Sequence, residues 1–142
     1  MELLIGTEKD VDELGQLLWD FNRSIFPQLN NVDKDKPDEK ICYLMKDKNK
    51  IIAGIVGKIL KNHLLYVDII FVEEVFRKQD YATFMLNKLE ADAKSRGCYL
   101  AFLETMNIEA VSFYEKCGYS IFGKLDDCPC PGICYFWMRK DI

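Results

Sequence analysis

Val72-Glu-Glu-Val-Phe-Arg-Lys-Gln-Asp-Tyr-Ala-Thr-Phe-Met-Leu-Asn-Lys-Leu89 is the stretch that decides the fold. An apolar run, Leu64 to Val72, passes through a short basic turn into a segment whose Ala82, Met85, Leu86, Leu89 and Ala93 share one helical face. A tight strand-to-helix turn leaves backbone amides without partners. The helix dipole, Arg77 and Lys78 suit that corner to an anion, phosphate above all. By itself the turn reads equally well as an ordinary connection with exposed basic residues.

Working outward, Gly97 closes the helix as a C′ glycine, and the apolar run Tyr99 to Thr105 reads as a central strand. A right-handed crossover makes this strand parallel to Leu64–Val72. Upstream, Ile41–Met45 and Ile51–Leu60 form a hairpin about Lys46–Lys50, and Lys61-Asn62-His63 turns into the key strand. Glu2 to Gly6 reads as a short strand, with Thr7 capping one or two helices over residues 8 to about 25. Phe26 to Lys40 is polar and aperiodic, either a solvated connection or a mobile substrate flap. Downstream, Asn107 caps a helix that Gly118 ends, and Tyr119–Gly123 and Ile133–Arg139 alternate as strands. The sum is a single α/β domain over residues 1–142. Its mixed sheet has antiparallel N-terminal strands, a central parallel pair splayed at its C-terminal ends, antiparallel C-terminal strands, and helices on both faces.

Composition narrows the function. With 49% hydrophobic and 13% aromatic residues the chain can bury a sizeable core. A net charge of −4 argues against a nucleic-acid or anionic-membrane surface. No apolar run reaches the ~18 residues of a membrane span, and the acidic start is no secretory signal. Six cysteines without an export signal are expected to stay reduced in the cytoplasm.

A second segment sharpens the first. Asn107-x-x-Ala110-x-x-x-Tyr114-x-x-x-Gly118-Tyr119, together with Arg77-Lys78-Gln79-Asp80-Tyr81-Ala82, resembles the GNAT superfamily of N-acetyltransferases. In that family the turn reads Arg/Gln-x-x-Gly-x-Gly/Ala and the helix reads Asn-x-x-Ala-x-x-x-Tyr-x-x-x-Gly-Phe/Tyr. The resemblance implies acetyl-CoA as donor, a primary amine as acceptor and direct transfer without a covalent enzyme intermediate. It also implies that the pantetheine arm lies along Ile70, Phe71 and Val72 as an added strand, while Gln79, Asp80, Tyr81, Ala82 and Thr83, with Arg77 and Lys78, hold the diphosphate. Backbone amides near Val72 would then stabilise the oxyanion.

Asp80 departs from the family glycine and brings a negative charge beside a diphosphate. At ~4 Å this costs about 1 kcal/mol in water and nearer 4 at an effective dielectric of ~20, unless the side chain turns outward. Tyr114 is the implied proton donor to the leaving thiolate, and read alone it is a core aromatic; Phe113 beside it reads as core. Asn107 either reaches the pantetheine arm or caps its helix. Asp68 and Glu104 are the candidate bases, each also readable as a solvent-facing or satisfied carboxylate, and His63 reads as exposed. Cys128-Pro-Cys130-Pro-Gly-Ile-Cys134 lacks a fourth ligand, so no metal is expected. The acceptor is expected to be a small cationic amine, with protein or peptide amines as an alternative. A non-catalytic acyl-CoA sensor and a redox- or metal-responsive protein are the rival readings, and monomer and homodimer both stay open.

Overall fold

A computed structural model describes all of residues 1–142, which divide into two units, Met1–Asp35 and Lys36–Ile142. In the first, helix α1 spans Glu8–Ile25 without a break. Thr7 starts it through a capping box: its Oγ1 accepts from the Asp10 amide, and the Asp10 carboxylate accepts from the Thr7 amide at 2.6 Å. Phe26 ends it because Pro27 follows, and Pro27–Asn31 is a short 3-10 turn inside the expected loop. The strand expected at Glu2–Gly6 is not formed. A short apolar run becomes a strand only when a neighbour supplies a ladder, and no partner pairs with it.

The second unit is a six-stranded mixed sheet with two helices. Its strands are β1 (Glu39–Asp47), β2 (Lys50–Ile59), β3 (Leu64–Val72), β4 (Leu100–Thr105), β5 (Ser120–Leu125) and β6 (Tyr135–Asp141), in the spatial order β1-β2-β3-β4-β6-β5. Only β3 and β4 pair in parallel, and their register covers just Leu64↔Leu100, Leu65↔Ala101 and Tyr66↔Phe102. Past that point the two strands part company, leaving a fork between Val67–Val72 and Leu103–Thr105.

Helix α2 (Tyr81–Ser95) packs on β1, β2 and β3 through Met85, Leu86, Leu89 and Ala93. Gly57 admits it, since a Cβ there would lie 2.8 Å from both Leu89 methyls. Gly97 adopts φ +92, so the chain leaves α2 in the left-handed region where glycine carries no Cβ penalty. Helix α3 (Ile108–Lys116) sets Val111 and Tyr114 into the same core cluster as Leu65, Val67, Ala101, Leu103 and Met138. Between α2 and β6 lies the buried Glu90, which accepts from Lys140 Nζ at 2.6 Å and from the Tyr119 hydroxyl at 2.9 Å.

One irregularity in β3 controls the site. Val67 pairs with Gly57 and Ile69 with the adjacent Val56, so Asp68 is an extra residue, a β-bulge. The bulge inverts the alternation. Leu65 and Val67 face α2 before it, and Ile70 and Val72 pack against the core after it.

Candidate active site

The mouth of the fork on the α2 and α3 side is a cleft of about 510 Å³. Its floor is the end of β3, Ile70, Phe71 and Val72, whose edge toward β4 carries no ladder partner beyond Tyr66. One wall is the turn and the start of α2: Arg77, Lys78, Asp80, Tyr81, Ala82 and Thr83. Lys78 (φ 59) and Asp80 (φ 60) both sit in the left-handed region, and this folds the turn tightly against the helix start. Asp80 is the N-cap, yet its side chain accepts no capping hydrogen bond. The first amides of α2 therefore face the cleft uncapped, in the field of the helix dipole. Arg77 Nε donates to the Val72 carbonyl at 3.0 Å and clamps the turn to the strand end. A diphosphate fits this corner, because free amides and two basic side chains converge on it.

Gln79, expected among the cofactor ligands, is not on the cleft. Its Nε2 donates back to the Val75 carbonyl at 3.3 Å, within the turn.

The opposite wall is α3. Asn107 lines the cleft and caps the helix, its Oδ1 accepting from the Glu109 amide at 2.9 Å. Tyr114 is only 5% exposed, its ring stacked edge-on against Phe113 and Tyr119 at 5.1 and 5.7 Å. No protein group accepts from its hydroxyl, and no buried polar atom lacks a partner, so the hydroxyl opens to the cleft. Burial, reinforced by the nearby Cys117 thiol, pushes its phenol up to about 12. Phe113, expected in the core, packs against the core cluster but is less buried than Tyr114 and also lines the cleft. Val111 and Tyr114, three apart, share the stripe that faces the sheet. Ala110 of the motif also lines the cleft, as do Phe76 and Glu109, to which the sequence assigns no role. The motif Asn107-x-x-Ala110-x-x-x-Tyr114 marks this helix face, and Phe113 sits one turn from Glu109 along it.

Neither candidate base lies in the cleft. Asp68 and Glu104 project from the other face of the sheet, beyond the fork. Asp68 pairs with Lys58 at 2.8 Å, and the Glu104 carboxylate accepts a hydrogen bond from the Tyr66 hydroxyl. Burial first, and Glu104 second, raise the Tyr66 phenol well above its ordinary value, so it stays a neutral donor. His63 is exposed in its turn. In the 128–134 loop the Cys134 thiol donates to Asp126 at 3.1 Å, and no group of three or more His, Cys, Asp or Glu side chains is placed to hold a metal ion. No helix is long and apolar enough to cross a membrane.

An acetyltransferase of Agrobacterium fabrum is 37% identical over 108 residues, covering 76% of this chain and 77% of its own length. A blasticidin-S acetyltransferase of Streptomyces morookaense is 27% identical over 101 residues, 70% of this chain and 73% of its own. Among solved structures, an acetyltransferase from Bacillus cereus superposes with a TM-score of 0.73 at 27% identity, over 100% of this chain and 98% of that one. An acetyltransferase from Bacillus anthracis, solved with acetyl coenzyme A, superposes with a TM-score of 0.65 at 26% identity, over 77% of this chain and 65% of that one. Residues 11–119 match the Acetyltransferase (GNAT) family. The chain therefore belongs to the GNAT family and is an acyltransferase that draws its acetyl group from acetyl-CoA.

Proposed function

We propose that this enzyme acetylates the primary amine of a small cationic molecule by direct transfer. The observation that carries the reading is one cleft uniting the uncapped start of α2 with the open hydroxyl of Tyr114. The acetyl thioester supplies the activated acyl group. Tyr81, Ala82 and Thr83 offer amides to the diphosphate, Arg77 and Lys78 add charge, and the free edge of Ile70–Val72 receives the pantetheine arm. Asn107 keeps its carboxamide nitrogen for the same arm while its oxygen caps α3. Tyr114 gives its proton to the departing sulfur. A carboxylate beyond the fork, Asp68 or Glu104, takes the proton of the incoming ammonium, since an ammonium has no lone pair to offer. A net charge of −4 and the relative named for blasticidin-S both favour a small cationic acceptor.

The test is a thiol-release assay with acetyl-CoA against a panel of small amines, with calorimetric binding of the donor run beside it. Release dependent on a small amine is expected. Saturable donor binding with no release for any small amine, but release with peptide amines, would overturn the acceptor class.

Asp80 provides a separate check. In the left-handed conformation it occupies the place of a family glycine and lines the cleft. Asp80→Gly removes about 1 kcal/mol of repulsion, so the affinity for acetyl-CoA should rise about fivefold. An unchanged calorimetric Kd would mean that the carboxylate points away from the diphosphate.

A further inference from the structure

Beyond the fork, on the face of the sheet that α2 and α3 leave uncovered, side chains from three strands form a row of defined chemistry. Tyr66, Phe102, Glu104, Tyr135 and Trp137 alternate with the inward Leu65, Leu103, Phe136 and Met138 and therefore project together. The rings of Tyr66 and Phe102 lie 5.2 Å apart and those of Tyr135 and Trp137 5.7 Å apart. Glu104 stands between the two pairs, opposite Trp137 in the ladder.

The carboxylates beside this row differ in their partners. Lys58 is taken by Asp68 at 2.8 Å, and Arg139 by Asp141 at 2.9 Å. Glu104 is left holding a neutral phenol, so it is the carboxylate of this row that has no cation for a partner. The hydrogen bond from Tyr66 to Glu104 has a telling place. Tyr66 and Phe102 are the last paired position of the parallel strands, and Glu104 stands two residues past it. The bond thus holds the carboxylate at the root of the gap through which a donor in the cleft meets this face.

From this arrangement, and resting on the transfer to an amine proposed above, we infer that the acceptor is a monocation carried on a flat, unsaturated body. Glu104 is its base and Tyr66 the residue that positions Glu104. The ring pairs receive the flat body, and one carboxylate matches one ammonium. A polyamine or aminoglycoside brings several ammonium groups, and the further ones find no second cation-free carboxylate in this row. In the reaction Glu104 takes one proton from the ammonium and passes it to water. The freed lone pair forms the C–N bond as the C–S bond breaks. Tyr114 protonates the sulfur and recovers a proton from the nitrogen by way of water, so the turnover releases one proton net.

The experiment compares 2-phenylethylamine, the uncharged 2-phenylethanol and spermidine, by calorimetric binding to the full chain and by thiol release. 2-Phenylethylamine should bind about tenfold tighter than either of the others and show about tenfold higher kcat/KM than spermidine. Glu104→Gln should weaken its binding and cut kcat about 100-fold. Tyr66→Phe should leave its KM within about twofold and lower kcat about tenfold, a split that loss of structure would not produce. Tyr66→Ala should raise KM as well, by removing a ring from the stack. Preference for spermidine, or a Glu104→Gln enzyme with unchanged binding and kcat, overturns this inference while leaving amine acetylation intact. Absence of thiol release with every amine would instead strike the underlying reaction.

Discussion

Tyr114→Phe is expected to lower kcat about 100-fold while leaving the KM for acetyl-CoA nearly unchanged, because it deletes one proton donor and keeps the ring. The ring is 5% exposed and packs on Phe113 and Tyr119, so its hydrophobic contribution survives the change. The lost hydroxyl has no protein partner, so no buried group is orphaned. Stability should accordingly move little, and a kinetic effect can be read without a folding correction. The phenol pushed up to about 12 adds a pH signature. An acid of that strength stays protonated well past neutrality, so the donor itself should impose no fall in kcat below about pH 10 in the native enzyme. Single-turnover measurement of thiol release in both forms decides the matter. Equal rates would return Tyr114 to the status of a core aromatic.

Lys140→Met should produce the largest loss of stability, about 3 kcal/mol. Glu90 is 7% exposed and held by Lys140 Nζ at 2.6 Å and the Tyr119 hydroxyl at 2.9 Å. Removing the ammonium leaves a buried carboxylate with one neutral donor. For a chain of this size the melting temperature should fall by about 10 °C. Glu90→Leu combined with Lys140→Met replaces both charges with apolar volume and should recover most of that loss. A fall under about 2 °C for the single change would show that water reaches Glu90 in solution.

Helices and strands of the second unit are legible wherever periodicity and end signals agree. The apolar spacing of Ala82 to Ala93 and Gly97 define α2, and Asn107 with Gly118 defines α3. The parallel relation of β3 to β4 follows from crossover handedness, because a helix lies between them. Features that depend on a second strand are not legible. Glu2–Gly6 has strand composition but no ladder. The bulge at Asp68 is a relation between β3 and β2, and nothing in Val67-Asp68-Ile69 announces it. Without the bulge, simple alternation puts Asp68 on the same face as Ile70, whereas the structure sets them on opposite faces. The turn hides its shape for another reason. Left-handed backbone is usually signalled by glycine, and Lys78 and Asp80 give no such sign. Phe113 and Tyr114 are adjacent and both aromatic, so only the packing of α3 reveals which of them is buried.

The brevity of the β3–β4 register has a mechanical meaning. Three paired positions join one half-sheet, β1-β2-β3 with α2, to the other, β4-β6-β5 with α3. The backbone seam is a short hinge, and the Glu90–Lys140 pair is a strut across it. An extended ligand hydrogen-bonded within the gap would splice the halves into a continuous sheet and restrain their relative swing. Occupancy of the cleft would therefore be felt in amide protection far from it, on both sides of the seam.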